Sequence, residues 1–350
     1  MAQNMIKYII KRILLMIPML FLLLIITWIL SRLMSIDPAA NMFDPFTTDQ
    51  ATVDAMRRKL GLDQPWFIQL AIYIKNFFLG DLGQSYLGRS QGYQVTEYLG
   101  LIIPRTVELM IVPTILAPII AVKLGVTSAA KKDKPADTII RGIAVAGSAL
   151  PSFLIGMLLM YFGSVILPAL TGGEIFIPTI GNKDPTFDDP TPFTNFRIID
   201  CILSNRPDLL LDTLIHLILP WLTLTIVSLA GITRVTRSTM LDVLQEDYVR
   251  TARAKGCSES SVISKHALRN AMIPTSTVIV AGFRNALIGS VIVERIFNYI
   301  GLGFTTWEAI LYSDYWMILG IILYFGIIVL ASNLISDVLY TIIDPRIIYK

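Results

Sequence analysis

The chain has 350 residues, of which 54% are hydrophobic and only 16% charged, and its mean hydropathy is +0.64. Soluble domains carry about 25% charged residues, so this balance excludes an ordinary soluble protein, and two cysteines, Cys201 and Cys257, exclude a disulfide framework. The formal net charge of +3 is small, and only its distribution along the chain is informative.

Several apolar runs reach the roughly 20 residues that cross a hydrocarbon core, and runs this continuous are helices rather than barrel strands. The first follows Lys7, Lys11 and Arg12 and covers residues 13–30. No small-residue cleavage site follows it, so it reads as an uncleaved span with its basic end in the cytoplasm. Residues 31–103 form a polar, mixed segment suited to a small helical subdomain outside the membrane. Within it Val53, Met56 and Leu60 recur at helical spacing, with Gly61 as a C-terminal cap. Residues 66–79 form a second amphipathic helix with Phe67, Leu70, Ile74, Phe77 and Phe78 on one face, which either lies in the membrane interface or packs on the spans.

A second span covers about 106–126, with Arg105 and Glu108 placed for a local pair at its entry. A short loop, 127–138, holds Lys131, Lys132 and Lys134. The third span, about 139–167, is interrupted at Pro151. A Pro- and Asp-rich loop occupies 168–208, and the fourth span, about 210–232, is broken at Pro220. After the polar stretch 234–273 come a fifth span at about 274–293, a Gly-bearing turn at 298–313, a sixth span at 315–343 and the tail 344–350. Lys and Arg cluster at the N-terminus, in 127–138, in 234–273 and in the tail, which places all four in the cytoplasm. The expected architecture is all-α and integral to the membrane, with six spans and both termini cytoplasmic. Its parts are 1–30 (tail and first span), 31–103 (extracytoplasmic segment), 104–343 (core of five spans) and 344–350 (cytoplasmic tail). On that topology the two cysteines face opposite sides.

Catalytic chemistry is missing from the pattern. No GxxxxGK[ST] phosphate loop occurs, His216 and His266 do not make a metal site, and no nucleophile or carboxylate pair stands out within a span. The sequence therefore predicts no enzyme, no metal and no bound cofactor. Arg284 and Asn285 fall in the middle of the fifth span, where a charge is costly. They either line a pathway or pair with another span or a partner. Asn333 and Asp337 read as an internal polar contact, and Glu294-Arg295 as interfacial.

The most charged stretch, 241–274, has an internal logic. Leu241, Leu244, Tyr248 and Ala252 give one apolar helical face; Asp242, Glu246 and Asp247 lie early and Arg250, Arg253 and Lys255 late, which complements the helix dipole. Gly256 ends this helix in the left-handed region. Ser258 then serves as N-cap, with Glu259 first in a second helix that runs to about Asn270. Two readings fit: an amphipathic pair on anionic lipid, or a rigid element that docks in the groove of a cytosolic partner.

At these residues the sequence resembles the inner-membrane permeases of ATP-binding-cassette importers, in particular the dipeptide/oligopeptide class. The run Glu246-Asp247-Tyr248-Val249-Arg250-Thr251-Ala252-Arg253-Ala254-Lys255-Gly256 carries the resemblance, followed by His266-Ala267-Leu268-Arg269-Asn270-Ala271. Of the superfamily's Glu-Ala-Ala, three residues, Gly signature, only Ala252 and Gly256 match, since Arg250 and Thr251 occupy its first two positions. Its closing Leu-Pro is displaced, with Leu268-Arg269 standing where it would fall. Leu60-Gly61-Leu62-Asp63-Gln64-Pro65, Gly80-Asp81-Leu82-Gly83-Gln84-Ser85, Pro104-Arg105-Thr106-Val107-Glu108-Leu109, His216-Leu217-Ile218-Leu219-Pro220, Val293-Glu294, Gly301-Leu302-Gly303 and Asp344-Pro345-Arg346 extend it over nearly the whole chain. The 168–208 loop is longer and richer in Pro and Asp than the class pattern.

The resemblance implies a type I importer permease in a prokaryotic cytoplasmic membrane. Its partners would be a homologous second permease, two cytosolic ATP-binding subunits that use ATP and Mg, and an extracytoplasmic solute-binding protein, with no nucleic acid. Glu246, Asp247, Tyr248, Arg250, Thr251, Ala252, Arg253, Lys255 and Gly256 would couple to the ATPase, while Arg284 and Asn285 are the pathway-lining candidates. Peptides are the expected cargo. Metal chelates or glycans are alternatives within the class, and a stand-alone secondary transporter is the alternative outside it.

Overall fold

The computed structural model describes residues 2–33, 37–43, 48–86 and 88–343, with side chains for these except at 2–9, 41, 88, 283, 284, 288 and 335–343. Among the described residues the regular elements are helices, apart from one isolated bridge between Gln84 and Gln94. The chain divides into two compact units, residues 1–105 with 300–334, and residues 106–299 with 335–350.

The first unit begins with α1 (Ala2–Leu33), apolar enough to cross a membrane from Ile10 onward. Helix α2 (Gln50–Lys59) starts at Asp49, whose carboxylate accepts the Thr52 N–H, and closes in a double turn. There Leu62 N–H reaches Arg57 O at 2.9 Å and Gly61 N–H reaches Arg58 O at 3.1 Å, with Gly61 at φ +67° as its position anticipates. Helix α3 (Trp66–Phe78) answers the choice left by its sequence in favour of packing. Tyr73, Ile74 and Phe77 lie on a core of Leu24, Leu82, Leu99, Met317 and Ile321, while Phe78 and Trp66 stack against Phe21 and Trp28 of α1. Even so, Trp66, Phe67 and Phe78 keep more than half of their surface exposed.

One element of this unit differs from expectation. The stretch 298–313 is not merely a turn, since it contains α13 (Leu302–Leu311). Gly301 sits before the first turn and Gly303 is buried inside the helix. Asp314 then caps α14 (Tyr315–Ile343), its carboxylate accepting the Met317 N–H at 3.1 Å.

Helix α4 (Val95–Ala130) is longer than the expected second span, starting eleven residues earlier and carrying Pro104, Pro113 and Pro118 without a break. At 1.5 Å per residue its 36 residues span about 54 Å, well beyond a hydrocarbon core. Prolines act oppositely elsewhere in the second unit. The expected third span divides at Leu150-Pro151 into α5 (Pro135–Ala149) and α6 (Ser152–Tyr161), which runs on through a π-helical segment (Phe162–Ile166) into α7 (Leu167–Leu170). Only Ser152–Leu170 is long and apolar enough to span. By contrast α9 (Pro207–Val243) passes through buried Pro220 uninterrupted, contrary to the expected break. A single lost ladder bond is tolerated where neighbours hold the helix, and Leu217, Leu219 and Leu224 of α9 pack into a core with Leu109, Val293, Phe297 and Tyr299.

Helix α12 (Leu268–Ile296) contains Pro274 and continues the polar helix before it, so no break in the helix marks the expected passage from coupling segment to fifth span. The stretch bends by 43° between Glu259–Leu287 and Gly289–Ile296. Among the described residues five helices pass as membrane spans by length and composition, and six do where the bent pair is counted as one span, a number consistent with the six expected.

The Pro- and Asp-rich loop is pinned rather than loose. It carries α8 (Arg197–Leu203), and the Ile198 N–H donates to Glu108 Oε1 at 2.7 Å. Buried Glu108 therefore serves the start of α8, not the local pair with Arg105 suggested by spacing. Arg197, also buried, bonds Asp189 and donates to Thr213 Oγ1 at 2.9 Å, and Lys183 reaches Asp189 at 3.1 Å. Glu294 is fully buried and accepts from Thr106 Oγ1 at 2.8 Å, while Arg295 beside it is exposed. Cys201 is buried and Cys257 exposed, and both are free thiols.

Candidate functional site

The polar stretch is built where three helices of the second unit end. Val126 and Ala129 near the end of α4, Met240, Leu241, Val243 and Leu244 at the end of α9, and Ile263, Ala267, Leu268 and Ala271 form one apolar cluster. On this platform the chain turns at Leu244–Glu246, with Glu246 N–H on Val243 O at 3.1 Å. It re-enters helix as α10 (Asp247–Ala254). The expected single helix from Leu241 through Ala252 is thus two helices. No glycine or proline marks the break; it is imposed by burial of Val249 and Ala252 against Val262, Val243 and Leu244.

Burial also reassigns the inner face. Val249 and Ala252 point inward, whereas Tyr248 is 40% exposed and accepts from Asn270 Nδ2 at 2.7 Å. The other residues expected to couple to a partner lie in the open. Glu246, Asp247, Arg250, Thr251, Arg253, Lys255 and Gly256 are all exposed, and the exposed run continues unbroken to Ser260. Asp247 sits in the first turn of α10 and Arg253 in the last, as the dipole argument requires.

Gly256 ends α10 as its sequence position implies. Its φ is +81°, Gly256 N–H donates to Arg253 O at 3.0 Å and Cys257 N–H to Ala252 O at 3.2 Å, which is the paired closing turn that glycine favours. A Cβ built at Gly256 would meet no atom within 4 Å, so the space above it is open. Beyond it, Ser258 occupies the N-cap position of α11 (Glu259–Ser261) without the expected side-chain cap; the Val262 N–H bonds its carbonyl instead, at 2.9 Å. Glu259 folds back across the turn onto Arg253, with bonds of 3.1 and 2.7 Å, and this cation holds its carboxyl below the usual range. A π-helical segment (Val262–Ala267) leads directly into α12.

One polar cluster escaped the sequence reading. Asp137, fully buried at the start of α5, receives Arg237 Nε at 2.8 Å and Nη2 at 2.9 Å, together with Ser128 and the Asp133 N–H. The Arg237 guanidinium holds the Asp137 carboxyl far below the ordinary carboxylate range. This clamp ties the α4–α5 turn to α9 one turn before Met240. In sequence, Asp137 resembles any acid in a lysine-rich loop, and its partner lies 100 positions on.

Arg284 and Asn285 are not brought to this segment. They lie in α12 just before the bend; Asn285 is exposed, and the Arg284 side chain falls outside the described residues, as do the Asp337 side chain and the tail 344–350.

Comparison with known proteins matches the chain to two family descriptions. Residues 121–349 match the binding-protein-dependent transport system inner membrane component, and residues 5–91 match the N-terminal part of such membrane components. The chain is 37% identical to the oligopeptide transport system permease protein AppB of Bacillus subtilis, over 98% of this chain and 99% of that one. It is 35% identical to the dipeptide transport system permease protein DppB of Alkalihalophilus pseudofirmus, over 99% and 100%. To the probable D,D-dipeptide transport system permease protein DdpB of Escherichia coli it is 36% identical over 92% of both. With helices long and apolar enough to cross a membrane repeatedly, and with matches over nearly its whole length, the chain belongs to the family of binding-protein-dependent transport system inner membrane components, multi-pass permeases of the cytoplasmic membrane.

Proposed function

We propose that the chain is one permease of an ATP-driven importer that receives di- or oligopeptides from a solute-binding protein and passes them to the cytoplasm. The observation that carries this reading is the exposed surface of α10 and Gly256, held rigidly on the ends of α4, α9 and α12. Docking elements of this kind present polar side chains from a braced helix to a partner's groove. The similar permeases from Bacillus, Alkalihalophilus and Escherichia are named for oligopeptide and dipeptide transport, which supports peptide cargo here.

In this reading the partner subunits are a homologous second permease and two cytosolic ATPases that use ATP and Mg. Glu246, Asp247, Tyr248, Arg250, Thr251, Arg253, Lys255 and Gly256 face the ATPase, and Ala252 anchors the helix that carries them. The segment 234–273 and both termini lie in the cytoplasm, residues 31–103 outside, and Arg284 and Asn285 line the pathway. ATPase closure would drive α10 against the helices beneath it, rocking packed bodies around a central route.

Cys257 gives a direct test. It is exposed beside Gly256, whereas Cys201 is buried. A maleimide should label Cys257 in the permease alone and be excluded once the cognate ATPases are bound. Undiminished labelling in the transport-competent assembly would remove the docking role. Competition of uptake by di- and oligopeptides tests the cargo separately.

A further inference from the structure

The first unit holds a cavity of about 510 Å³ that the transport reading does not use. Its walls include much of two segments quoted for the family resemblance, Leu60-Gly61-Leu62-Asp63-Gln64-Pro65 and Gly80-Asp81-Leu82-Gly83-Gln84-Ser85. Three cations line it, Arg32, Arg58 and Lys59, against one carboxylate, Asp81. Asp81 is partly engaged already, accepting the Gly83 N–H at 2.9 Å. Arg32 bonds Gln69 and lies 5.1 Å over the Trp28 ring, so it is held in place without an acid. Arg58 and Lys59 are exposed and make no ion pair among the described residues. Inside the cavity wall the Tyr73 hydroxyl is buried with no hydrogen-bond partner, a donor that a folded protein seldom leaves unmet.

The position of this cavity is as informative as its charge. The apolar run of α1 ends at Leu33, beside Arg32, and that of α14 opens at Tyr315, beside Trp316; both ends line the cavity. It therefore sits at the level where two spans leave the hydrocarbon, with Trp28, Tyr315 and Trp316 as the aromatic girdle typical of that level. Below it α1 presents Ile26, Ile29, Leu30 and Leu33 to the outside. A small water-borne anion would have no use for an apolar track, whereas a molecule with a charged head and acyl chains would use both.

We infer that this cavity seats the phosphodiester headgroup of an anionic phospholipid, with its glycerol between the aromatic side chains and its acyl chains along α1. Arg58 and Lys59 supply the charge, Arg32 a preplaced guanidinium, and Tyr73 a hydroxyl donor. The site binds a constituent of the membrane rather than the transported solute, and it stands whether or not the cargo is peptide.

The test uses the full-length chain in detergent, offered phosphatidylglycerol or phosphatidylcholine, with retained lipid read by native mass spectrometry. Phosphatidylglycerol should be retained in preference. Arg58→Gln with Lys59→Gln should weaken its retention roughly thirtyfold, the effect of two surface cations on an anionic lipid. Lys131→Gln with Lys132→Gln, which lie in the second unit and do not line the cavity, should leave it unchanged. Both altered side chains are exposed, so the variant keeps its fold, and an unchanged melting temperature without lipid verifies this. Tyr73→Phe, which keeps the ring, should also reduce retention. Equal retention of the two lipids, or equal losses in both lysine-containing variants, overturns the assignment. So does stabilisation by inorganic phosphate or by a dipeptide that matches that of phosphatidylglycerol, because either would make the cavity a site for a soluble anion.

Discussion

A side chain at Gly256 would touch nothing, so the cost of replacing it comes from backbone conformation alone. At φ +81° an L-residue pays about 1–2 kcal/mol, too little to unfold a membrane protein but enough to reshape the turn from α10 to α11. Gly256→Val should insert and purify normally yet lose most ATP-driven uptake, measured in proteoliposomes against ATPase rate; wild-type uptake would show that the turn transmits nothing. Asp137 makes the opposite case, since its importance is energetic and internal. Asp137→Ala strands Arg237, and breaking such a pair costs about 2–4 kcal/mol, below the deepest cases because Arg237 keeps some solvent contact. A lower melting temperature measures it. Because the folded carboxyl titrates below its unfolded value, its stabilising contribution is complete above the ordinary pKa of about 4 and fades only as pH falls through the lower folded value. Exchange protection of the Asp133 amide should therefore stay flat between about pH 8 and about pH 5. Gly256 was legible in the sequence because a glycine after a basic helical turn has one common use. Asp137 and Glu108 were not, because their partners are Arg237 and the Ile198 amide, which only the folded chain brings near.

At the scale of elements, apolar run length located the spans well and proline located their ends poorly. Pro151 follows a residue in extended conformation and divides two helices, while Pro220 is enclosed by packed neighbours and divides nothing. The difference lies in what surrounds each ring, which one-dimensional pattern does not carry. The break at Leu244–Glu246 is similar, since it follows from burying Val249 and Ala252 and has no local marker. Close helix contact has a clearer signature. A Cβ at Gly125 of α4 would fall 2.6 Å from Thr236 Cβ and 2.9 Å from Thr233 O, both on α9. Neither atom is the end of a flexible side chain, so the helices themselves must part. Small residues are what allow membrane helices to approach this closely. Gly125→Val should cost about 1–3 kcal/mol and appear as a lower melting temperature in detergent. A neutral result would mean that α4 and α9 separate without penalty.

For the second unit as a whole, the question is how force on an exposed helix reaches the spans. Two apolar clusters share Val243 and Leu244: one holds Val249, Ala252 and Val262 beneath α10, the other holds Met240, Ala267, Ala271 and Ala129 at the ends of α9, α12 and α4. The polar link from Tyr248 to Asn270 runs parallel to this path. Packed interiors resist compression and pass displacement from one side chain to the next. In the proposed assembly docking and transmission would therefore fall to opposite faces of α10 and can be separated by substitution. Val249→Ala removes two methyl groups from a fully buried position, at about 1–2.5 kcal/mol, without altering any exposed residue. The variant should bind its ATPases normally and protect Cys257 from maleimide as the wild type does. It should nevertheless transport less solute for each ATP hydrolysed, because a softened contact absorbs motion that the native one relays. Arg250→Ala, on the outer face, should do the reverse, weakening ATPase binding while leaving the ratio of uptake to hydrolysis in the assembled fraction near normal. If both variants lower binding and leave that ratio intact, the apolar spine only holds α10 in place, and the path into the spans must run through the Tyr248–Asn270 link instead.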